Sequence, residues 1–268
     1  MSLITVRNGY ETTDGLAARE NLHRAFSAGG QNFRAWELQC LKWVIERSKI
    51  VVDVAAGRGS FWTNALTQRS IEWRKKTLIA CDVSPAMTQV LAGLAPNRLL
   101  AVRCSMDDLP FKSESIDLLI CHSALHYSTD PLQAINGFLK ALSANGHVSI
   151  VVSGIGNMQE LHDFFELGRY GVDLSERPLM RFNEVQMDAL VQSISFPIEV
   201  ATKVVWDSAL RIDEAPPVVE YFASHPEVSA AKMFLEIRRD LLHRLNERLR
   251  ADGSISVRRR QCHYLISR

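Results

Sequence analysis

Several features that mark large classes of protein are missing from this sequence. The five cysteines are widely spaced and never form a Cys-x-x-Cys pair, which argues against a disulfide framework and a structural zinc site. No stretch approaches the roughly 20 apolar residues of a membrane span, and residues 1–10 lack a basic segment followed by an apolar one. The net charge of +1 gives no electrostatic case for nucleic acid or a membrane surface. These absences predict a cytoplasmic protein with no membrane partner, and they disfavour nucleic acid.

The composition that remains is that of a folded globular protein. Of the 268 residues, 47% are hydrophobic, which is ample for a buried core. The length allows one large domain, or one domain with an inserted cap.

The stretch from Ile50 to Phe61 is the most informative part of the chain. Three β-branched residues run without alternation into Asp53, and small or turn-compatible residues follow from Ala55 to Gly59. A short apolar run that is closed by glycines and followed by a helix-like segment predicts a buried parallel strand turning tightly into a helix. Doubly wound α/β proteins bind nucleotides at such turns, because the backbone approaches the ligand closely and the amides at the helix start face it.

The residues around the glycines indicate which nucleotide is bound. In the dinucleotide fingerprint Gly-x-Gly-x-x-Gly/Ala, the third small residue would fall on Trp62, and an indole cannot replace a glycine needed for close helix–strand packing. This makes an NAD-dependent oxidoreductase a weak alternative. Asp53 precedes the glycines, where it would repel a diphosphate but hold a cationic amine. The pattern therefore favours a ligand with a positive end.

Residues 51–59, Val-Val-Asp-Val-Ala-Ala-Gly-Arg-Gly, resemble motif I of the class I S-adenosylmethionine (SAM) methyltransferases, hydrophobic-Asp/Glu-x-Gly-x-Gly-x-Gly. The resemblance implies a doubly wound, mostly parallel seven-stranded sheet, with Asp53, Ala55, Gly57 and Gly59 against SAM and Asp53 near its methionine amine. Ala55 stands where the family has its first glycine. If that position needs a positive φ, alanine costs on the order of 1 kcal/mol, and otherwise little.

A second predicted strand, residues 77–81, ends at Asp82. An acid at that strand end can accept both ribose hydroxyls of an adenosine, or it can cap the helix that opens at Ser84 and Pro85. Residues 82–87, Asp-Val-Ser-Pro-Ala-Met, also resemble the methyltransferase stretch Asp-x-Ser-x-x-Met. This second resemblance implies that Asp82, Val83 and Met87 contact the cofactor.

After a third predicted strand at 99–102, residues 104–111 read Cys-Ser-Met-Asp-Asp-Leu-Pro-Phe. They are similar to the Gly-Asp-Ala-Glu-Asp-Leu-Pro-Phe segment of small-molecule methyltransferases related to the ubiquinone and biotin pathway enzymes. In that family the acid takes the adenine amino group and the next amide meets the ring. Here those positions fall on Ser105 and Met106. Asp107 either substitutes for the missing acid or serves only as a loop and capping residue.

A fourth predicted strand, 115–121, is followed by His-Ser-Ala-Leu-His-Tyr at 122–127. The resemblance places Cys121 and His122 at the cofactor, and His122 and Tyr127 in the substrate pocket. His126 is the candidate general base for an acceptor whose pKa lies above neutrality, or else a structural residue under the following helix. His122 and His126 are four apart, but no His-Glu-x-x-His pattern accompanies them, so no metal site is predicted.

The outer parts of the chain predict a lid and a cap. Residues 1–48 form an N-terminal helical segment that either covers the cofactor or only packs, and residues 49–268 form the SAM-binding domain. Within that domain, residues 207–256 form a helical insertion of the substrate-capping kind, although a helix pair that forms a homodimer or has a purely structural role fits equally.

The leading hypothesis is SAM-dependent methyl transfer to the oxygen, nitrogen or carbon of a small molecule, with S-adenosylhomocysteine (SAH) as product. The alternative is a non-catalytic regulatory protein that binds SAM or SAH, which the substitutions at Ala55, Ala56 and Ser105 motivate. Only turnover separates the two.

Overall fold

The computed structural model describes residues 13–172 and 182–268, so the first part of the predicted N-terminal segment 1–48 lies outside the described residues. The chain forms two compact units. The first comprises the described parts of 1–30 and 156–181 together with 207–260, and the second comprises 31–155, 182–206 and 261–268. The predicted roles of 1–48 as lid and 207–256 as cap stay predictions.

The described helices are α1 Asp14–Phe26, α2 Phe33–Arg47, α3 Ser60–Ala65, α4 Pro85–Leu94, α5 Pro131–Ala141, α6 Gln159–Phe165, α7 Glu184–Ser193, α8 Pro216–Ala223, α9 Pro226–Ser229 and α10 Phe234–Asp252. The strands are β1 Ser27–Ala28, β2 Ile50–Val54, β3 Thr77–Asp82, β4 Leu99–Arg103, β5 Ile116–His122, β6 Leu142–Ser153, β7 Val200–Ile212 and β8 Ile255–Ser267. Short 3₁₀ turns lie at Trp73–Lys75, Leu125–Tyr127 and Leu167–Tyr170.

In the second unit the strands lie in the order β7-β8-β6-β5-β2-β3-β4. The five from β6 to β4 are parallel to one another, and β8 is antiparallel to β6. From β2 the chain first builds outward through β3 and β4 and then returns to the other side of β2 with β5, so the order reverses between β2 and β5. Doubly wound sheets bind their ligands at such a switch point, outside the carboxyl ends of the strands. The predicted doubly wound, mostly parallel fold is confirmed.

The described residues form a sheet of eight strands, one more than the predicted seven. The extra strand is β1 in the first unit, where Ser27 pairs with Leu210 and Ala28 with Ala209 of β7. A two-residue strand carries no periodic pattern, so the sequence does not indicate it.

Both faces of the central strands are covered in the second unit, which explains why β2 reads as an uninterrupted apolar run. One buried cluster joins the sheet to α5 around Phe138 and Leu139, and the other joins it to α2 and α3 around Leu41 and Trp62. Helix α4 begins where the sequence predicts it, and the Ser84 hydroxyl caps it by accepting a hydrogen bond from the Met87 N–H.

The first unit has its own apolar core, to which α1, α6, α8 and α10 contribute. The start of the predicted helical insertion 207–256 is a strand, because β7 continues six residues past Trp206 to Ile212. Leu210 and Ile212 are fully buried there. Asp207 pairs with Arg258 at 3.0 Å and with Arg260 at 2.7 Å, so two members of the basic run 258–260 have an acidic partner.

In the described ranges, no helix combines the length and the apolar character that crossing a membrane requires.

Candidate functional site

The turn after β2 has the left-handed backbone that motif I requires. Ala55, Gly57 and Gly59 have φ values of +52°, +57° and +75°. Ser123, which follows β5 on the other side of the switch point, also has a positive φ of +54°. Non-glycine residues in this region are strained, and such strain concentrates at ligand sites. Two strained residues therefore flank the place where the strand order reverses.

The backbone geometry at Gly59 favours glycine, and two leucine side chains lie close to it. A Cβ at this position would lie 2.7 Å from the Leu94 Cδ2 atom and 2.9 Å from the Leu91 Cδ2 atom of α4. Trp62, one turn along α3, is fully buried between the sheet and the helices. This packing agrees with the argument that Trp62 cannot occupy the third position of a dinucleotide fingerprint.

Asp82 ends β3 and organises the neighbouring turn. Its Oδ2 atom accepts a hydrogen bond from the Gly57 N–H at 2.9 Å, and its Oδ1 atom accepts one from the Ser84 N–H at 2.9 Å. Burial raises the pKa of this carboxyl, and the backbone donors oppose that effect. The cap of α4 is Ser84, so the alternative role of Asp82 as the cap is not what the structure shows.

Asp53 lies deeper than a strand-end acid. In the sheet register it stands beside Ala80 of β3 and Ile120 of β5. Asp82 and His122 are each two residues nearer the carboxyl edge, which is about 7 Å along the strand. Asp53 is only 4% exposed.

The ionisation of Asp53 reflects this position. Burial raises its pKa to about 8; the Trp62 indole N–H acts against this rise, and the negative charge of Glu37 adds to it. At neutral pH the carboxyl is therefore mostly protonated. The sequence predicts an acid that holds an amine, but it does not predict that the acid is neutral before a cation arrives.

A buried polar network that the sequence analysis missed links α2 to three strands of the sheet. Glu37 of α2 is completely buried; its Oε2 atom accepts a hydrogen bond from Arg34 at 2.6 Å, and its Oε1 atom lies 2.9 Å from the His122 Nδ1 atom. The His122 Nε2 atom lies 2.7 Å from the Ser149 hydroxyl, which lies 2.8 Å from the His263 Nε2 atom.

The charges in this network follow from their neighbours. Burial acts to raise the pKa of Glu37, but Arg34 and His122 lower it more, so the net shift is downward and the carboxylate is ionised. An ionised carboxylate only accepts hydrogen bonds, so the His122 Nδ1 atom carries the proton. Burial lowers the pKa of His263 to about 3, which keeps that ring neutral.

A sequence signal for Glu37 was available. Glu37 precedes Leu41, Val44 and Ile45 by four, seven and eight positions, so it lies on the apolar face of α2. A carboxylate on that face must be paired when it is buried.

The predicted adenine-side residues form a compact loop. The Ser105 hydroxyl accepts from the Asp107 N–H at 3.1 Å. The Asp107 carboxylate in turn accepts from the Ser128 hydroxyl at 2.5 Å and from the Thr129 N–H at 3.1 Å. Asp107 thus connects two loops by hydrogen bonds, as expected if it serves only as a loop and capping residue. The contact of Ser105 and Met106 with adenine stays a prediction.

The remaining predicted residues differ in accessibility. Cys121 is fully buried, and Met87 is 1% exposed, whereas Val83 is 43% exposed. His126 is 8% exposed and packs against Tyr127 with ring centroids 4.1 Å apart. Their contacts with cofactor or substrate stay predictions.

Comparison with known proteins agrees with this geometry. The family described as a methyltransferase domain matches residues 52–150. An uncharacterized methyltransferase-like protein of Schizosaccharomyces pombe is 30% identical over 110 residues, which are 41% of this chain and 40% of that protein. The chain thus aligns with about two fifths of its curated relative. Residues 52–150 thus match a methyltransferase domain, which supports the resemblance to the class I SAM-dependent methyltransferases.

Solved structures resemble the methyltransferase domain in fold. The YcgJ protein of Bacillus subtilis is 16% identical with a TM-score of 0.58, and the match covers 87% of this chain and 98% of that one. Phosphoethanolamine N-methyltransferase 2 of Haemonchus contortus, solved with phosphomonomethylethanolamine and SAH, is 15% identical with a TM-score of 0.54. That match covers 96% of this chain and 57% of the other. At these low identities, the likeness shows a shared fold alone.

The methyltransferase fold implies SAM as cofactor, and the residues present fit it. The Asp82 oxygens accept from the backbone N–H groups of Gly57 and Ser84, and a carboxylate has about four acceptor positions, so positions remain for a ribose hydroxyl. The turn from Ala55 to Gly59 has the backbone that lets a ligand approach closely. Asp53 offers a carboxyl that a cationic amine would ionise.

Proposed function

We propose that this protein transfers the methyl group of SAM to a small-molecule acceptor, with Asp82 on the ribose and Asp53 near the methionine amine. The observation that carries the proposal is the meeting of β2, β3 and β5 at the switch point. There a left-handed turn and the Asp82 carboxylate lie at one edge of the sheet, with the buried Asp53 two residues further in. A small-molecule acceptor is supported by the nearly neutral chain and by the resemblance of residues 104–111.

When bound, SAM supplies an electrophilic methyl group on its sulfonium. The work of this chain is then to align donor and acceptor and to exclude water. His126 is the proposed general base for an acceptor that must lose a proton, because it follows β5 at the edge where the methyl group should point. An acceptor that is already deprotonated needs no base.

The first test is calorimetry of the full chain with SAM, SAH, NAD and NADP. Binding of SAM and SAH, with no binding of the dinucleotides, is the expected result. Tight binding of NAD alone would overturn the proposal.

The second test separates catalysis from regulation. Candidate oxygen, nitrogen and carbon acceptors are incubated with SAM and screened by mass spectrometry for a gain of one methyl group, together with SAH formation. An Asp82→Ala control should lose both signals. SAM binding without turnover over a broad acceptor set would favour the regulatory alternative.

A further inference from the structure

The first residue of interest is Arg34, a cation on α2 that the sequence analysis did not single out. Its guanidinium donates to Glu37 at 2.6 Å and to the Ser60 hydroxyl at 2.7 Å. Ser60 is the first residue of α3 and directly follows Gly59. The guanidinium therefore lies beside the left-handed turn while its side chain remains 31% exposed.

The charge of Arg34 is felt by both buried acids. Its positive charge lowers the pKa of Glu37, and it also acts to lower the pKa of Asp53 against the effect of burial. A charge shifts the pKa of another group only when the two are close or poorly screened by water. Arg34 therefore acts electrostatically on both Glu37 and Asp53.

The methionine end of SAM carries an amine and a carboxylate of opposite charge. Asp53 suits the amine, but once the amine has ionised it, Asp53 would repel the carboxylate, so a ligand with both groups also needs a fixed cation. Arginine presents a planar fork of donors that matches a carboxylate, and the contacts to Glu37 and Ser60 hold that fork in place.

We infer that Arg34 binds the carboxylate of the SAM methionine moiety and thereby selects SAM over cofactor analogues that lack this group. The inference rests on the proposed function. It adds a residue that distinguishes SAM, which carries the amino-acid carboxylate, from sulfonium ligands that lack it. Glu37 acts as the positioning residue, since it holds the guanidinium and neutralises its charge when no ligand is bound.

The experiment measures the dissociation constants of three ligands for the full chain. SAM has the amine and the carboxylate. Decarboxylated SAM keeps the sulfonium and the amine but lacks the carboxylate, and 5′-methylthioadenosine lacks both the amine and the carboxylate. Wild type should bind SAM most tightly. Arg34→Met should weaken SAM by about 10- to 100-fold, the usual range for a charge-assisted contact, and should leave decarboxylated SAM and 5′-methylthioadenosine within about twofold. Arg34→Lys should recover part of the preference.

Two further variants keep the test decisive. Arg34→Met leaves Glu37 buried without this cation, so the double variant Arg34→Met/Glu37→Gln removes both charges and guards against a folding defect. Arg58→Met tests a second arginine, which lies within the left-handed turn between Gly57 and Gly59. Equal losses for SAM and decarboxylated SAM in Arg34→Met, or a selective loss in Arg58→Met instead, would overturn the inference. If wild type binds none of the three ligands, it is the proposed function that fails.

Discussion

Replacing Asp53 by asparagine should stabilise the protein increasingly as the pH rises. The folded chain holds a proton on Asp53 up to about pH 8, whereas an unfolded chain releases it near pH 4. Between these values the folded state binds one proton more than the unfolded state, so the wild type loses about 1.4 kcal/mol of unfolding free energy per pH unit through this group. The asparagine of the variant does not titrate. The difference between variant and wild type should therefore grow with that slope from pH 5 to 7 and level off above pH 8.

The assay is urea unfolding of both proteins at one-unit pH intervals from 5 to 9. Asp117→Asn is the matched control, because Asp117 lies in the same sheet but has the opposite shift. Its carboxylate accepts from the Lys49 N–H at 2.8 Å and the Ile50 N–H at 3.0 Å, and despite partial burial these donors lower its pKa. Asp117 contributes its full stability above the pKa of an unfolded aspartate and loses it only as the pH falls through its lowered pKa in the folded protein, so its variant should show a constant deficit from pH 5 to 9.

A flat difference for Asp53→Asn over this range would refute the reasoning, because it would mean that Asp53 is ionised in the folded protein. Saturating SAM adds a second readout. A bound amine favours the carboxylate, so the slope should shrink when SAM is present.

Three other predictions concern the turn, the ribose and the base. Ala55→Gly should stabilise the fold by about 0.5–1 kcal/mol because it relieves the left-handed strain. Ala56 lies outside the left-handed region, so Ala56→Gly should destabilise the fold by a similar amount. Thermal unfolding measures both variants, and the opposite order would show that the strain argument is wrong. Asp82→Asn should weaken SAM about tenfold in calorimetry by removing the charge from the hydroxyl contacts, and unchanged affinity would reject the ribose assignment. His126→Ala should lower kcat by ~10²-fold or more with nearly unchanged SAM affinity, and the defect should shrink as the pH approaches the acceptor's pKa; wild-type turnover at neutral pH would reject the base, and a fall in melting temperature without loss of turnover would favour a structural role.

Much of the fold follows from local pattern. The uninterrupted β-branched run of β2, the small residues after it and the Ser84-Pro85 start of α4 each depend on near neighbours in the chain, and each appears where the sequence predicts it. The two-residue β1 and the continuation of β7 to Ile212 do not, because they depend on pairing with strands elsewhere in the sequence.

The candidate site divides in the same way. Asp53, Asp82 and the turn from Ala55 to Gly59 could be found from spacing alone, because parallel strands bring their carboxyl ends to one edge. Glu37 could be suspected from its place on an apolar helix face, but its partner could not. His122 lies 85 positions further along the chain, and only the packing of α2 on the sheet brings the two together.

The sequence by itself determined the strand, turn and helix around residues 50–65, since those elements arise from steric preferences of adjacent residues. The tertiary structure alone decided the charge states, because a pKa depends on how much water and which charges surround a group in space. Asp53 is thus a mostly protonated carboxyl two residues inside the sheet relative to Asp82, and Arg34 of α2 lies beside the left-handed turn.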